Sequence, residues 1–233
     1  MNLAIITGAS VGIGFSTAER FVEEGYRVIN VSRRSTDEPS IEDRNCDLSN
    51  LESVTALAKD LAPLVQQADH VCLVHNACKL RNDSADNCPS NELLTMLNIN
   101  IVAINEINQH LIPVMPEQSS ILYIGSTLSE KAVPNSYSYV VSKHALVGLM
   151  RASCQDLMGR SINTNCICPG FTDTEMLRTH LGNDDELIRS LASNNAYDRL
   201  VEPQEIAELI WWCHRNPVVN GSVIHANLGQ RES

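Results

Sequence analysis

Short apolar runs alternate along the chain with longer stretches in which apolar residues return every three to four positions. The short runs predict strands at Leu3–Thr7, 27–31, 44–47, 70–75, 120–125, 163–168 and 222–225. The longer stretches predict helices near 12–24, 50–66, 91–112, 137–158 and 203–215, with shorter pieces at 174–181 and 184–194. Regular alternation of this kind predicts an α/β fold, a doubly wound parallel sheet of about seven strands with helices on both faces.

Local signals agree with that pattern. Ser90 is the expected N-cap of the 91–112 helix, with Leu93, Leu94, Leu97, Ile101 and Ile104 on its core face and Pro113 and Pro116 ending it. Ile99, Val102, Ile107 and Leu111 fall beyond that face, so a dimer that buries this helix and the 137–158 helix against another copy of the chain is expected. Pro203 and Glu205 suit the first turn of the last helix. The polar, mixed segment 170–195 lies beyond the carboxyl end of a strand, where ligands are closed in.

Composition narrows the function classes. The chain has 233 residues and no linker-like, repeated or low-complexity tract, so residues 1–233 are expected to form one domain. A formal net charge of −11 argues against nucleic acid or an anionic membrane as partner. No apolar run is long enough to span a bilayer, the chain starts almost at once on a strand, and a cytoplasmic protein is expected. The eight cysteines show no metal-ligand spacing; Cys166 and Cys168 share one strand face, and no metal is expected.

The first strand runs into Thr7-Gly8-Ala9-Ser10-Val11-Gly12-Ile13-Gly14 and then an amphipathic helix. Glycines placed there allow a tight turn and close approach of backbone N–H groups to a pyrophosphate, the Rossmann-type arrangement for a dinucleotide. Nucleotide choice rests on the end of the second strand, which reads Ser32-Arg33-Arg34 with no carboxylate until Asp37. An arginine there neutralises a ribose 2′-phosphate and favours NADP (NADPH), with NAD the alternative if the pair is only a solvated loop.

Further along, Tyr139 and Lys143 stand four apart and so on one helix face. An ammonium near a phenol favours the phenolate, and a downward shift of roughly one to three pKa units is expected for Tyr139. Ser126, at the end of the strand Ile121-Leu122-Tyr123-Ile124, is placed to donate to a substrate oxygen that gains charge. Asn100 is a polar residue in the run Leu97-Asn98-Ile99-Asn100-Ile101, and is otherwise an exposed or backbone-bonded helix asparagine.

Taken together, these residues resemble the short-chain dehydrogenase/reductase family in its single-domain branch, over essentially the whole chain. The resemblance assigns Gly8, Ser10, Val11, Gly12, Ile13 and Gly14 to the pyrophosphate turn and Ser32, Arg33 and Arg34 to the adenosine ribose. Asp47 and Leu48 match the family's adenine contact, Asn76-Ala77 the core of its Asn-Asn-Ala-Gly motif, and Pro169, Gly170, Thr172 and Thr174 the nicotinamide end. Asn100, Ser126, Tyr139 and Lys143 match its catalytic tetrad, with Tyr139 and Lys143 also touching the nucleotide and Asn100 holding a proton-relaying water. His75 and Cys78 replace the outer Asn and Gly of the family motif, and Val11 stands where NADP-preferring relatives often carry a base.

The resemblance implies NADP(H)-dependent hydride transfer at a small-molecule carbonyl or alcohol, by a homodimer or homotetramer. A nucleotide-binding regulator of the same fold without chemistry is the reading from a different class. The guest of the 170–195 segment is not readable from Met176, Leu177, Arg178, His180, Leu181, Leu187 and Ile188.

Overall fold

The computed structural model describes residues 1–231. Its strands are β1 Leu3–Thr7, β2 Arg27–Ser32, β3 Ile41–Asn45, β4 Val71–His75, β5 Ser120–Ile124, β6 Asn163–Pro169 and β7 Ser222–Ala226. They form one parallel sheet in the order β3-β2-β1-β4-β5-β6-β7. Its helices are α1 Gly12–Glu23, α2 Leu51–Gln67, α3 Ser90–Leu97, α4 Ala103–Leu111, α5 Tyr137–Asp156, α6 Glu175–His180, α7 Asp185–Ala192 and α8 Pro203–Arg215.

Alternation along each strand sorts its side chains into two cores. Leu3, Ile5, Ile29, Leu73, Ile121 and Tyr123 pack on one face with α2, α4 and α5, while Ala4, Ile6, Val28, Val74, Leu122 and Ile124 pack on the other with α1 and α8. Each such side chain, once fully buried, contributes ~1.5–3 kcal/mol relative to exposure. Chain order reverses between β1 and β4, which opens a crevice at the carboxyl ends of these strands.

Three expectations are corrected here. β3 runs Ile41–Asn45 rather than 44–47, so Asp47 lies beyond the strand in an exposed loop. As an edge strand it buries only Ile41 well, and its polar residues carry no apolar signature.

The 91–112 helix is interrupted by a π-turn, Asn98–Val102, between α3 and α4. The extra residue in that turn resets the helical phase. Leu94 is exposed and Leu93, Leu97 and Ile101 are half-buried, whereas Met96, Ala103, Ile104, Ile107 and Leu111 form the buried face. Ile107 and Leu111 therefore serve this chain's own core and are no argument for a second copy. Finally, Pro89 is the N-cap of α3 and Ser90 its first helical residue, with no side-chain cap.

A candidate active site beside a tyrosine–lysine pair

The glycine turn is built from the inside. Thr7 Oγ1 accepts the backbone N–H groups of Asn76 and Ala77, both at 3.0 Å, and Asn76 Nδ2 donates to the carbonyls of Thr7 and Gly8, both at 3.0 Å. These bonds tie the end of β1 to the end of β4. Gly8 has φ +71°, and a Cβ on Gly14 would lie 2.2 Å from the Gly8 carbonyl oxygen and 2.6 Å from Asn76 Nδ2. No side chain fits at Gly14.

Beyond the turn, α1 begins at Val11 with no side-chain cap and no acidic residue in its first turn. Its first N–H groups thus keep the donors and the positive dipole end that a pyrophosphate needs. A dinucleotide fits this observation. Ser10, Val11, Gly12 and Ile13 line the turn, all of them at least partly exposed.

The end of β2 is held by a residue that the sequence alone did not single out. Asn30, buried in β2, accepts the Ala9 N–H at 2.9 Å and donates to Asp43 Oδ1 at 2.7 Å. A polar residue inside the apolar run Val28-Ile29-Asn30-Val31 was its signal. Ser32 bonds to the Arg34 carbonyl, shaping the loop that displays Arg33 and Arg34. Arg34 forks onto Glu175 of α6 at 3.2 and 3.3 Å, and both side chains are more than half exposed. Ser49 bonds and, to a lesser degree, Arg33 hold the Asp47 carboxyl below its ordinary pKa. Leu48 packs against the core beside it.

On the opposite wall, β6 and its exit are fixed through backbone. Gly170 N–H donates to the Ala226 carbonyl at 2.9 Å, and Thr172 Oγ1 turns inward to the Gly170 carbonyl at 3.0 Å. Thr174 caps α6, accepting the Leu177 N–H at 3.2 Å, and its Cγ2 stands 3.1 Å from where a Gly12 Cβ would be. The start of α6 therefore lies over the glycine turn. Arg178 is exposed and committed to Asp173 at 2.6 Å.

The four residues expected to perform proton transfer converge between β5, the π-turn and α5. Lys143 is 3 % exposed and donates from Nζ to the Ile124 carbonyl at 2.7 Å, with Nζ 5.5 Å from the Tyr139 ring centroid. Ser126 accepts the Leu128 N–H at 3.1 Å and its own N–H donates to Ser129 Oγ at 3.1 Å, which fixes the hydroxyl at the end of β5. That hydroxyl is close enough to favour ionised Tyr139.

Asn100 is buried, not exposed. Its Oδ1 accepts the Lys79 N–H at 2.8 Å, while Nδ2 donates to the Lys79 carbonyl at 3.1 Å and to Ser142 Oγ at 3.0 Å. Ser142 Oγ donates to the Tyr139 carbonyl at 2.8 Å, so the π-turn, the strand exit at Lys79 and α5 are one hydrogen-bonded unit. Asp83 positions the same helix: its carboxylate accepts the Ser138 N–H at 2.9 Å and its carbonyl the Tyr137 N–H at 3.1 Å. Ser142 lies between Tyr139 and Lys143, and Asp83 lies outside every motif; neither was singled out from the sequence.

The Tyr139 expectation is corrected. Burial pushes this phenol above its ordinary pKa, and the opposing pull of Lys143, with a smaller one from Ser126, does not overcome it. Lys143 remains an ammonium: burial disfavours its charge, but Cys78, Tyr139, Cys166 and Cys168 more than offset that. Spacing brought the two groups together; the depth at which they sit reversed the sign.

His75 faces away from this cleft. It is buried, stacked on Tyr123 at 5.2 Å between ring centroids, and its Nε2 donates to Asn108 Oδ1 at 2.8 Å. Cys166 and Cys168 share one strand face with their sulfurs 3.9 Å apart behind Gly125. Among the described residues no group of His, Cys, Asp or Glu is arranged to hold a metal ion.

An open parallel sheet with an uncapped helix N-terminus at its switch point, flanked by a half-buried Tyr139 over a buried Lys143, is the arrangement of a nucleotide-dependent oxidoreductase. The family described as enoyl-(acyl carrier protein) reductase matches residues 8–230, and the chain belongs to the short-chain dehydrogenases/reductases, enzymes acting on CH–OH and C=O groups. It is 26% identical over 240 residues to a 3-oxoacyl-[acyl-carrier-protein] reductase, FabG, of Vibrio harveyi, covering 98% of this chain and 96% of the relative. A 3alpha-hydroxysteroid dehydrogenase of Mediterraneibacter gnavus is 27% identical over 221 residues, with 88% and 86% covered. The ligand-free aldohexose dehydrogenase of Thermoplasma acidophilum superposes with a TM-score of 0.90 at 25% identity, with 98% of this chain and 93% of that one aligned.

Proposed function

We propose that the protein is an NADP(H)-dependent carbonyl reductase or alcohol dehydrogenase in which Tyr139 is the general acid and base. The observation that carries this is the buried Lys143 ammonium, anchored on the Ile124 carbonyl beneath the Tyr139 ring and beside Ser126. A nicotinamide bound in the cleft would supply or accept the hydride. Gly8, Ser10, Val11, Gly12, Ile13 and Gly14 would hold the pyrophosphate, and Arg33 and Arg34 a 2′-phosphate. Asp47, Leu48, Asn76 and Ala77 would line the adenine and ribose side, and Pro169, Gly170, Thr172 and Thr174 the nicotinamide end.

Ser126 orients the substrate oxygen, Tyr139 gives it a proton, and Lys143 steadies the negative charge left on the phenol. Asn100, anchored on the Lys79 backbone and Ser142, would hold a water that passes protons to Lys143. Because burial raises its pKa, the Tyr139 phenol is protonated at neutral pH and ready to act as the acid in reduction. Oxidation needs phenolate and gains as pH rises.

The reading extends to the rest of the molecule. Residues 1–233 act as one domain whose 170–195 segment closes over a small-molecule substrate, and the protein works in the cytoplasm. No helix among the described residues is long and apolar enough to cross a membrane. With Ile107 and Leu111 committed to the core, a homodimer or homotetramer would pair through the half-buried Ile99 and Val102 and through α5, whose Val141, Ala145 and Gly148 are exposed.

NADPH consumption followed in the near ultraviolet against ketones, aldehydes and quinones tests the proposal. Turnover with at least one carbonyl class is expected; tight NADPH binding with no turnover across all three contradicts it and favours a non-catalytic nucleotide binder.

A further inference from the structure

Both arginines offered to the adenosine ribose already face a carboxylate. Arg33 lends its charge to Asp47 from a distance and forms no ion pair among the described residues. Arg34 is different: its two terminal nitrogens are engaged by both oxygens of Glu175, a fork-on-fork geometry that matches the way a guanidinium grips phosphate. Glu175 is the first residue of α6, directly after Thr174, whose methyl covers Gly12 of the pyrophosphate turn. One short helix thus stands over the site of the diphosphate and presents an anion to the base that would bind the 2′-phosphate.

Resting on the NADP reading above, we infer that Glu175 is a specificity-determining residue that competes with the nucleotide's 2′-phosphate for Arg34. A phosphate dianion and the Glu175 carboxylate cannot both take the Nη1–Nη2 edge of Arg34, and their like charges repel at that distance. NADP must displace Glu175 from Arg34, whereas NAD, with a neutral 2′-hydroxyl, leaves the ion pair in place. The carboxylate therefore lowers affinity for NADP selectively and narrows the difference between the two nucleotides. Arg33 is the arginine free to receive the phosphate first. Both partners of the Arg34–Glu175 pair are well exposed, so the effect is small in energy and sensitive to salt.

Direct titration of NADPH and NADH, read by nicotinamide fluorescence, separates the outcomes in wild type, Glu175→Gln, Arg34→Ala and the double variant. Glu175→Gln is expected to tighten NADPH by about threefold to tenfold while moving NADH by less than about twofold. The gain should shrink in high salt and vanish on the Arg34→Ala background, because the competition runs through that guanidinium. Unchanged NADPH affinity in Glu175→Gln, with wild type still favouring NADPH, overturns the inference and leaves the cofactor reading standing. An equal gain with Arg34 removed also overturns it, since Glu175 would then act by plain repulsion. If wild type binds both nucleotides alike and Arg33→Ala leaves the ratio unchanged, the NADP reading fails and takes this inference with it.

Discussion

Acid should destabilise this fold well before its carboxylates titrate, because two histidines are locked neutral inside it. His75 and His214 are 1 % and 6 % exposed, and burial pushes each imidazole down to about 4. His75 donates from Nε2 to Asn108, and its buried Nδ1 has no partner to receive a second N–H. His214 has one nitrogen on Tyr26 Oη at 2.9 Å and the other on Ser120 Oγ at 2.7 Å, with Arg215 and His70 nearby to oppose further positive charge. The unfolded chain takes up protons at these positions near pH 6.5, the folded chain not until about 4, so stability is present above the unfolded value and is lost as pH falls below it.

Between pH 7 and pH 5 each histidine should remove about 2 kcal/mol, and the pair ~4 kcal/mol, a large part of the 5–15 typical of a folded domain. Carboxylates held low, such as Glu205 at about 2 through its Arg199 bond, add losses only as pH falls below their unfolded values, outside this window. Denaturant unfolding at the two pH values and one protein concentration measures the difference. His75→Gln should halve it whatever the substitution costs at pH 7. Equal stability at pH 7 and pH 5, or an unaltered loss in His75→Gln, refutes the reasoning.

Two further substitutions probe the cleft. Gly14→Ala places a methyl against the Gly8 carbonyl and Asn76, and should weaken NADPH binding by more than about tenfold along with a lower melting temperature; calorimetric titration and thermal melts check both. Asn100→Ala frees the Lys79 backbone and Ser142; on the proposed role of Asn100 in the proton relay, it should cut kcat by about tenfold or more while leaving NADPH affinity nearly unchanged, read by steady-state kinetics and nucleotide titration.

Much of this was legible in the chain because buried parallel strands read as continuous apolar runs: β1, β4, β5 and β6 are buried at every position and were anticipated nearly to the residue. The third strand was misplaced for the converse reason. Glu42, Asp43 and Arg44 lie on a sheet edge, where polar side chains are tolerated and no periodicity marks the strand.

The π-turn was invisible because its cause is tertiary. Asn100 is captured by the backbone of Lys79, and the shifted phase turns Ile107 and Leu111 inward. Spacing correctly brought Tyr139, Lys143 and Ser126 into one group but carried no information on burial, which set the direction of the Tyr139 shift. Arg34 and Glu175 are 141 residues apart, and nothing local connects them.

The central claim is that Tyr139 moves the proton while the cleft binds the nucleotide independently. NADPH affinity and carbonyl reduction measured side by side in wild type and Tyr139→Phe test it most directly. The account predicts NADPH binding within about threefold of wild type and turnover reduced by at least about a hundredfold, the loss expected when a general acid is removed. Turnover within tenfold of wild type, with binding intact, would contradict it.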